Sequence, residues 1–298
     1  MGRDHEAVRH ALGRVGVWTF GFDGRAAAAI ADDVRVIEGM GYGALWIPEG
    51  GGSNDVLTSL SWLLGASDRL TVVSGIANIT ARAPEVLARG AAFLRESSHD
   101  RVVLGIGVGH EYTTDRRGLE WDRPLARMRA YLDGMDEAAE ERPPAPRMLA
   151  ALGDGMLRLA AERALGAHTY FVPVAHTARA REVLGADPVL AVELGVMLTE
   201  DVALARAAAR EWAVHYLELP NYANNWRRLG FDDTDIAGAG SDGLLDAAFA
   251  WGPDAIVERV RAHRAAGADH VCIQVIGSTD ADEDVAALRT LAPALLSV

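Results

Sequence analysis

The stretch that decides the fold runs from Leu70 to His110, LTVVSGIANITARAPEVLARGAAFLRESSHDRVVLGIGVGH. Two apolar, β-branched runs, Leu70–Asn78 and Arg101–His110, flank one helical segment, Pro84–Ser98, so they read as consecutive parallel strands of a β/α repeat. Each run ends in small residues, and a glycine where a strand meets its loop lets backbone approach a flat or phosphorylated ligand closely. In such a repeat the C-terminal strand ends are where chemistry sits.

Outward from this pair, the whole chain alternates short apolar runs with longer amphipathic ones. Strands are expected at Arg14–Trp18, Ala44–Pro48, Leu70–Ala77, Val102–Gly107, Arg147–Leu152, His168–Val172, Val189–Met197 and His270–Ile276. Helical spacing fills Ala26–Met40, Arg123–Glu140, Met156–Leu165, Ala178–Leu184, Glu200–Tyr216 and Pro253–Ala266. Eight strands favour an α/β fold of the closed (β/α)8 TIM-barrel type over an open doubly wound sheet, and no GxGxxG opens the first turn. The repeat is interrupted after the seventh strand and its helix, at Leu217–Asp242, rich in Asn, Gly and aromatic residues. That irregular insertion is either a lid or substrate wall, or a packed connection anchored by Tyr222, Trp226 and Phe231. The Pro-rich Glu140–Arg147 is too short to divide domains and feeds the fifth strand.

Composition bounds the function. The 298 residues, 50% hydrophobic, suit one domain spanning 1–298 with a large core. A formal charge of −13 argues against a nucleic-acid partner, which demands a basic face. All 29 cationic side chains are arginine, which removes lysine Schiff-base and P-loop chemistry. The one cysteine, Cys272, lies in the apolar run HVCIQVIG and reads as a buried thiol, and there is no metal-binding cluster. No apolar run reaches the roughly 18 residues of a membrane span and the N-terminus is polar, so no membrane partner and a cytoplasmic location are expected.

Four segments in order, Gly16–Phe20 (GVWTF), Ala44–Gly52 (ALWIPEGGG), Leu70–Ile79 and Arg101–His110, resemble the bacterial luciferase-like flavin and deazaflavin oxidoreductases, in particular the coenzyme F420-dependent branch. Leu157–Pro173 and Ala266–Val275 fit the same branch, so the resemblance spans nearly the whole chain. It implies a ring held at the C-terminal mouth of the barrel. It also implies a non-prolyl cis peptide at Gly75–Ile76 behind that ring, with Asn78 just beyond it, and backbone contact through Gly107, Val108 and Gly109. His110 is then a candidate acid or base. Gly107→Val is expected to abolish cofactor binding while sparing the fold.

At the second strand end Glu49 and Gly50 stand where sugar-phosphate dehydrogenase relatives carry an Asp-His pair, so that substrate does not carry over. Glu49 is a candidate base, or a rim carboxylate paired to an arginine. The loop Leu152, Gly153, Asp154 would bind the cofactor phosphate at a helix N-terminus, unless Asp154 itself caps the helix. Arg82, Arg116, Arg117 and Arg158 are candidate tail partners. Trp18, His168, Tyr170, Tyr222 and Trp226 are candidate substrate contacts, and Trp46 is a further wall or a core residue. The implied activity is hydride transfer between the deazaflavin C5 of coenzyme F420 and a small organic substrate, without a metal. The alternatives are an FMN-dependent monooxygenase using reduced flavin and O2, and a non-catalytic flavin-binding relative. The resemblance also implies a homodimer.

Overall fold

The computed structural model describes residues 5–50, 52–139, 142–278 and 280–298. Among the described residues ten strands form: β1 (Val15–Trp18), β2 (Ala44–Ile47), β3 (Thr71–Ser74), β4 (Ala77–Asn78), β5 (Val102–Gly107), β6 (Arg147–Ala150), β7 (Gly166–Thr169), β8 (Val189–Met197), β9 (Ala250–Trp251) and β10 (His270–Val275). Every pairing is parallel, and β10 lies between β8 and β1, closing an eight-stranded barrel. The two short strands are additions to it. β4 resumes the path of β3 beyond a bulge and pairs with β5, while β9 adds to the C-terminal end of β8.

Side-chain alternation divides the barrel into two cores. Val72, Leu104, Leu149, Val192 and Ile273 face outward against the helices. Trp46, Val73, Val103, Met148, Ala191 and Cys272 face inward, and Val8 and Leu12 of the helix His5–Leu12 join them. At the centre the Trp46 indole stacks on His168, with centroids 4.5 Å apart, and its Nε1 donates to Nε2 of His270 at 3.0 Å. His270 must therefore carry its proton on Nδ1, which lies 2.9 Å from the Gly13 carbonyl.

Most helices begin where the sequence supplies a start. Asp55, Asp201 and Asp280 cap Val56–Gly65, Val202–Leu217 and Ala281–Leu295, and proline opens Pro84–Ser97, Pro124–Ala138 and Pro253–Ala265. No helix among the described residues is long and apolar enough to cross a membrane.

Four expectations need correction. The sixth barrel strand, β7, ends at Thr169, because its ladder with β8 stops at Thr169↔Val192; Phe171 then turns away with φ 53°. His168 thus lies inside the barrel, 2% exposed, below the mouth where substrate would enter. Leu217–Asp242 is also largely helical, as Pro220–Arg228 and Asp233–Ile236, followed by Asp242–Ala248. Its Leu217, Tyr222, Ala223, Trp226 and Ile236 build a second apolar cluster with Phe171, Met197, Phe249 and Ile276, over the C-terminal ends of β7, β8 and β10. The helix expected at Ala178–Leu184 begins earlier, at Val174, and that at Met156–Leu165 begins at Asp154.

Burial depresses four histidines below their ordinary pKa: His168 and His263 to about 3, His176 and His270 to about 4. All four are neutral in the folded chain at pH 7, whereas the unfolded chain takes up these protons near pH 6.5. Acidification from pH 7 toward pH 4 therefore favours the unfolded state, by up to about 1.4 kcal/mol per pH unit for each histidine. Urea midpoints should fall across that range, and His168→Phe should flatten the fall. A midpoint independent of pH between 7 and 5 would contradict the neutral, buried assignment.

Candidate active site

The C-terminal strand ends converge on one mouth. After β3 the chain bulges through a cis peptide at Gly75–Ile76, as the family resemblance implies. The Gly75 amide donates to Ile47 O at 2.7 Å and the Ile76 carbonyl accepts from the Glu49 amide at 3.2 Å, tying the bulge to the end of β2. Trp18 lies against it so closely that a Cβ on Gly75 would come 2.6 Å from the indole Nε1. That Nε1 is buried without a hydrogen-bond partner among the described residues.

Glu49 is fully engaged. Its carboxylate accepts from the Asn78 amide at 2.8 Å and pairs with the Arg82 guanidinium, whose Nη2 also reaches Asp55 at 2.9 Å. The Glu49 and Arg82 side chains are both nearly buried. This is the rim ion pair rather than a free base, and it takes Arg82 out of the set of tail partners. Asn78 is likewise occupied: its Oδ1 accepts from the Thr80 amide and hydroxyl at 2.9 and 2.7 Å.

Gly107, the last residue of β5, and Gly109 beyond it leave space that the protein's own chain uses. A Cβ on Gly107 would fall 2.7 Å from Ile76 Cδ1, and one on Gly109, at φ 74°, would fall 2.2 Å from Asn78 Nδ2. They make room for the bulge itself. In Gly107→Val the Ile76 side chain would have to move whether or not a ligand is bound. Val108 is half-buried against the barrel's outer core. His110 opens the short helix Glu111–Asp115, with its ring parallel to Tyr112 and 5.9 Å from Tyr222. Burial lowers its pKa below the ordinary 6.5.

After β6, Leu152 and Gly153 lead into the helix Asp154–Arg163. Gly153 holds the N-cap position and no side chain caps the helix. Asp154 is the first helical residue and its carboxylate is drawn aside by Arg179, which donates to Oδ1 and Oδ2 at 2.9 Å each. The concern that Asp154 occupies the helix N-terminus is thus resolved. Arg158 stands 3.7 Å from the same carboxylate, and His176 Nε2 lies 2.9 Å from the Leu152 carbonyl. Arg117 bonds the Thr80 hydroxyl.

On the opposite side Tyr170 faces into the mouth. Its hydroxyl donates to Gln274 Oε1 at 2.9 Å and lies 3.0 Å from the Tyr216 hydroxyl. Tyr222 packs between His110, Tyr170 and Tyr216. Trp226, by contrast, is wholly buried between Phe171 and Phe231 and forms the core of the covering layer, not its wall.

Sequence reasoning missed Glu193, which alternation along β8 aims into the barrel; it accepts from the Phe171 amide at 3.0 Å, and burial pushes its pKa up to about 8. One acid inside VLAVELGVM was the available signal. It also missed Gln274, Tyr216, Arg179 and Arg228, which no local pattern marks. A groove of about 890 Å3 between the helices Ala27–Met40 and Val56–Gly65 reaches the C-terminal ends of β1 and β2 at Thr19, Phe20, Ile47 and Pro48.

A sequence profile described as luciferase-like monooxygenase matches residues 13–270. The chain belongs to this family. A 5,10-methylenetetrahydromethanopterin reductase of Methanolobus tindarius is 26% identical over 211 residues, covering 61% of this chain and 65% of that protein. The chain thus spans less than two thirds of that relative. Among solved structures, an F420-dependent secondary alcohol dehydrogenase in complex with an F420-acetone adduct superposes with TM-score 0.74 at 13% identity, over 95% of this chain and 98% of that one. The FMN-bound oxygenating constituent of 3,6-diketocamphane monooxygenase from Pseudomonas putida gives TM-score 0.70 at 15% identity, with the same coverage. At such identities the likeness shows the barrel fold that the family shares.

Because Glu49 is paired rather than free, Glu49→Gln should cost about 3 kcal/mol in urea unfolding, the penalty for stranding a nearly buried partner charge. A loss below about 0.5 kcal/mol, typical of an exposed pair, would reopen its assignment as a base.

Proposed function

We propose that this protein is a coenzyme F420-dependent oxidoreductase acting on a small, uncharged organic alcohol or carbonyl compound. The observation that carries the reading is the helix Asp154–Arg163, which starts at the barrel mouth with no side-chain cap while Arg179 holds the Asp154 carboxylate aside. A helix start left in this state offers unpaired amides and partial positive charge to an anion. The unpartnered, buried Trp18 Nε1 beside the β3 bulge is a second donor left over by the protein's own fold.

In this reading the amides around Leu152–Asp154 hold the cofactor phosphoryl group, the backbone of Val108 and Gly109 lies along its chain, and the Gly75–Ile76 bulge backs its ring. When bound, the deazaflavin supplies a two-electron hydride carrier at C5. Glu49, Asn78 and Arg82 position the bulge. Tyr170, Tyr216 and Tyr222 form an aromatic, hydroxyl-bearing wall suited to a small uncharged substrate. Where the dehydrogenase relatives have histidine, Gly50 offers no side chain, so the proton is assigned to an imidazole nitrogen of His110.

Fluorescence titration with F420 and, separately, with FMN tests the cofactor. Saturable binding of F420 in preference to FMN is expected. Preference for FMN would move the protein to reduced-flavin monooxygenase chemistry, and binding of neither would overturn the reading. With its pKa lowered by burial, His110 is neutral and able to accept a proton at pH 7. Alcohol oxidation should lose rate as pH falls through a value below 6.5, and His110→Gln should remove that limb. An unchanged pH profile in the variant would exclude His110.

A further inference from the structure

The helix Pro220–Arg228, which covers the mouth, also reaches the start of the helix Asp154–Arg163. A Cβ at Gly153 would lie 3.8 Å from Arg228 Nη2, so the guanidinium stands directly over that loop. Arg228 Nη2 donates to Asn225 Oδ1 at 3.2 Å, one turn earlier on its own helix. Asn225 is 2% exposed, and its Nδ2 is buried with no partner among the described residues. Turning the amide over would not help, because it would set two N–H donors against each other. Asn225 therefore presents an unfilled donor beside a guanidinium, and an unfilled buried donor is rare enough to require an explanation.

The charges around the loop point the same way. Arg158 and Arg179 both bind the Asp154 carboxylate, and Arg228 makes no ion pair among the described residues. Three guanidinium groups thus face one carboxylate in a chain of net charge −13. His176 is neutral and its Nε2 is spent on the Leu152 carbonyl, so it neither adds to nor offsets this excess.

We infer that Arg228 and Asn225 are binding residues for the phosphoryl group of the cofactor, clamping it from the covering helix against the uncapped amides of the Asp154–Arg163 helix. The inference rests on the function proposed above and deepens it. A planar guanidinium matches two phosphoryl oxygens, and the Asn225 carbonyl holds it in orientation while Nδ2 supplies a further donor.

The test is a binding titration of the full chain with F420 and with the same deazaflavin lacking its phosphoryl tail, alongside FMN and riboflavin. Arg228→Ala should weaken F420, or FMN if that is the bound cofactor, about ten- to a hundred-fold, the scale of a charge-assisted hydrogen bond. It should leave the phosphate-free compound unchanged. Arg228→Lys should recover part of the loss, and Asn225→Leu should lose affinity in the same selective way. Arg228 is exposed with one internal hydrogen bond, so its variants are expected to keep the parent melting temperature. Equal losses for both compounds, or none in Arg228→Ala, would overturn the assignment and leave the proposed function standing. Should the wild type bind neither F420 nor FMN, the proposed function fails. Inorganic phosphate then decides the anion site: a rise in melting temperature lost in Arg228→Ala keeps it, and no rise removes it.

Discussion

The barrel depends on what fills its centre. Eight strands enclose room for one layer of inward side chains at a time, and an unfilled layer would leave a cavity while an overfilled one would splay the strands. Here Trp46 takes most of one layer, set against His168 and His270. An indole N–H buried at that depth needs an acceptor, His270 provides it, and the other nitrogen of His270 then needs the Gly13 carbonyl. The hydrogen bonds run from the middle of the barrel toward its N-terminal end, where Val8 and Leu12 complete the packing. Toward the C-terminal side the polar groups Glu193, Gln274 and Tyr170 engage their own partners.

The absence of lysine shapes that side as well. A guanidinium presents several donors in one plane, so Arg82 satisfies Glu49 and Asp55 together, and Arg179 grips both oxygens of Asp154. Three carboxylates near the mouth are thereby committed to structure. The consequence is that these acids hold loops in place rather than standing free at the mouth. Glu193 fits the same pattern, since a carboxyl that burial keeps largely protonated at neutral pH spends an oxygen on the Phe171 amide and fixes the turn that follows β7.

The eight barrel strands were legible because each is a β-branched or apolar run between turn signals, and the parity of inward and outward residues follows once the strands are placed. The β7 error has a physical cause: HTYFV has strand propensity, but pairing with β8 is already complete at Thr169, and tertiary pairing overrides propensity. In Leu217–Asp242 the Asn and Gly content hid a helical spacing that Tyr222, Ala223 and Trp226 carry openly. The cis bond at Gly75–Ile76 came from family resemblance alone, as nothing in the residue types demands it. Glu193 was readable from alternation and was overlooked. The approach of Arg228 to Gly153 was not readable at all, because 75 residues of chain and two further barrel strands separate them and no periodicity links them.

One helix, Pro220–Arg228, carries both sides of the argument about specificity. Tyr222 points toward His110 and Tyr170, while Asn225 and Arg228, three residues apart on one face, sit by the start of the Asp154–Arg163 helix. Trp226, wholly buried between these two contacts, fastens the helix to Phe171 and Phe231. The helix cannot shift at one end without moving the other, because its anchor is a packed side chain rather than a flexible loop. The surroundings of Tyr222 and of Gly153 are therefore set by one packed element, so a change that unseats Trp226 disturbs both, whereas truncating an exposed side chain such as Arg228 leaves the helix in place.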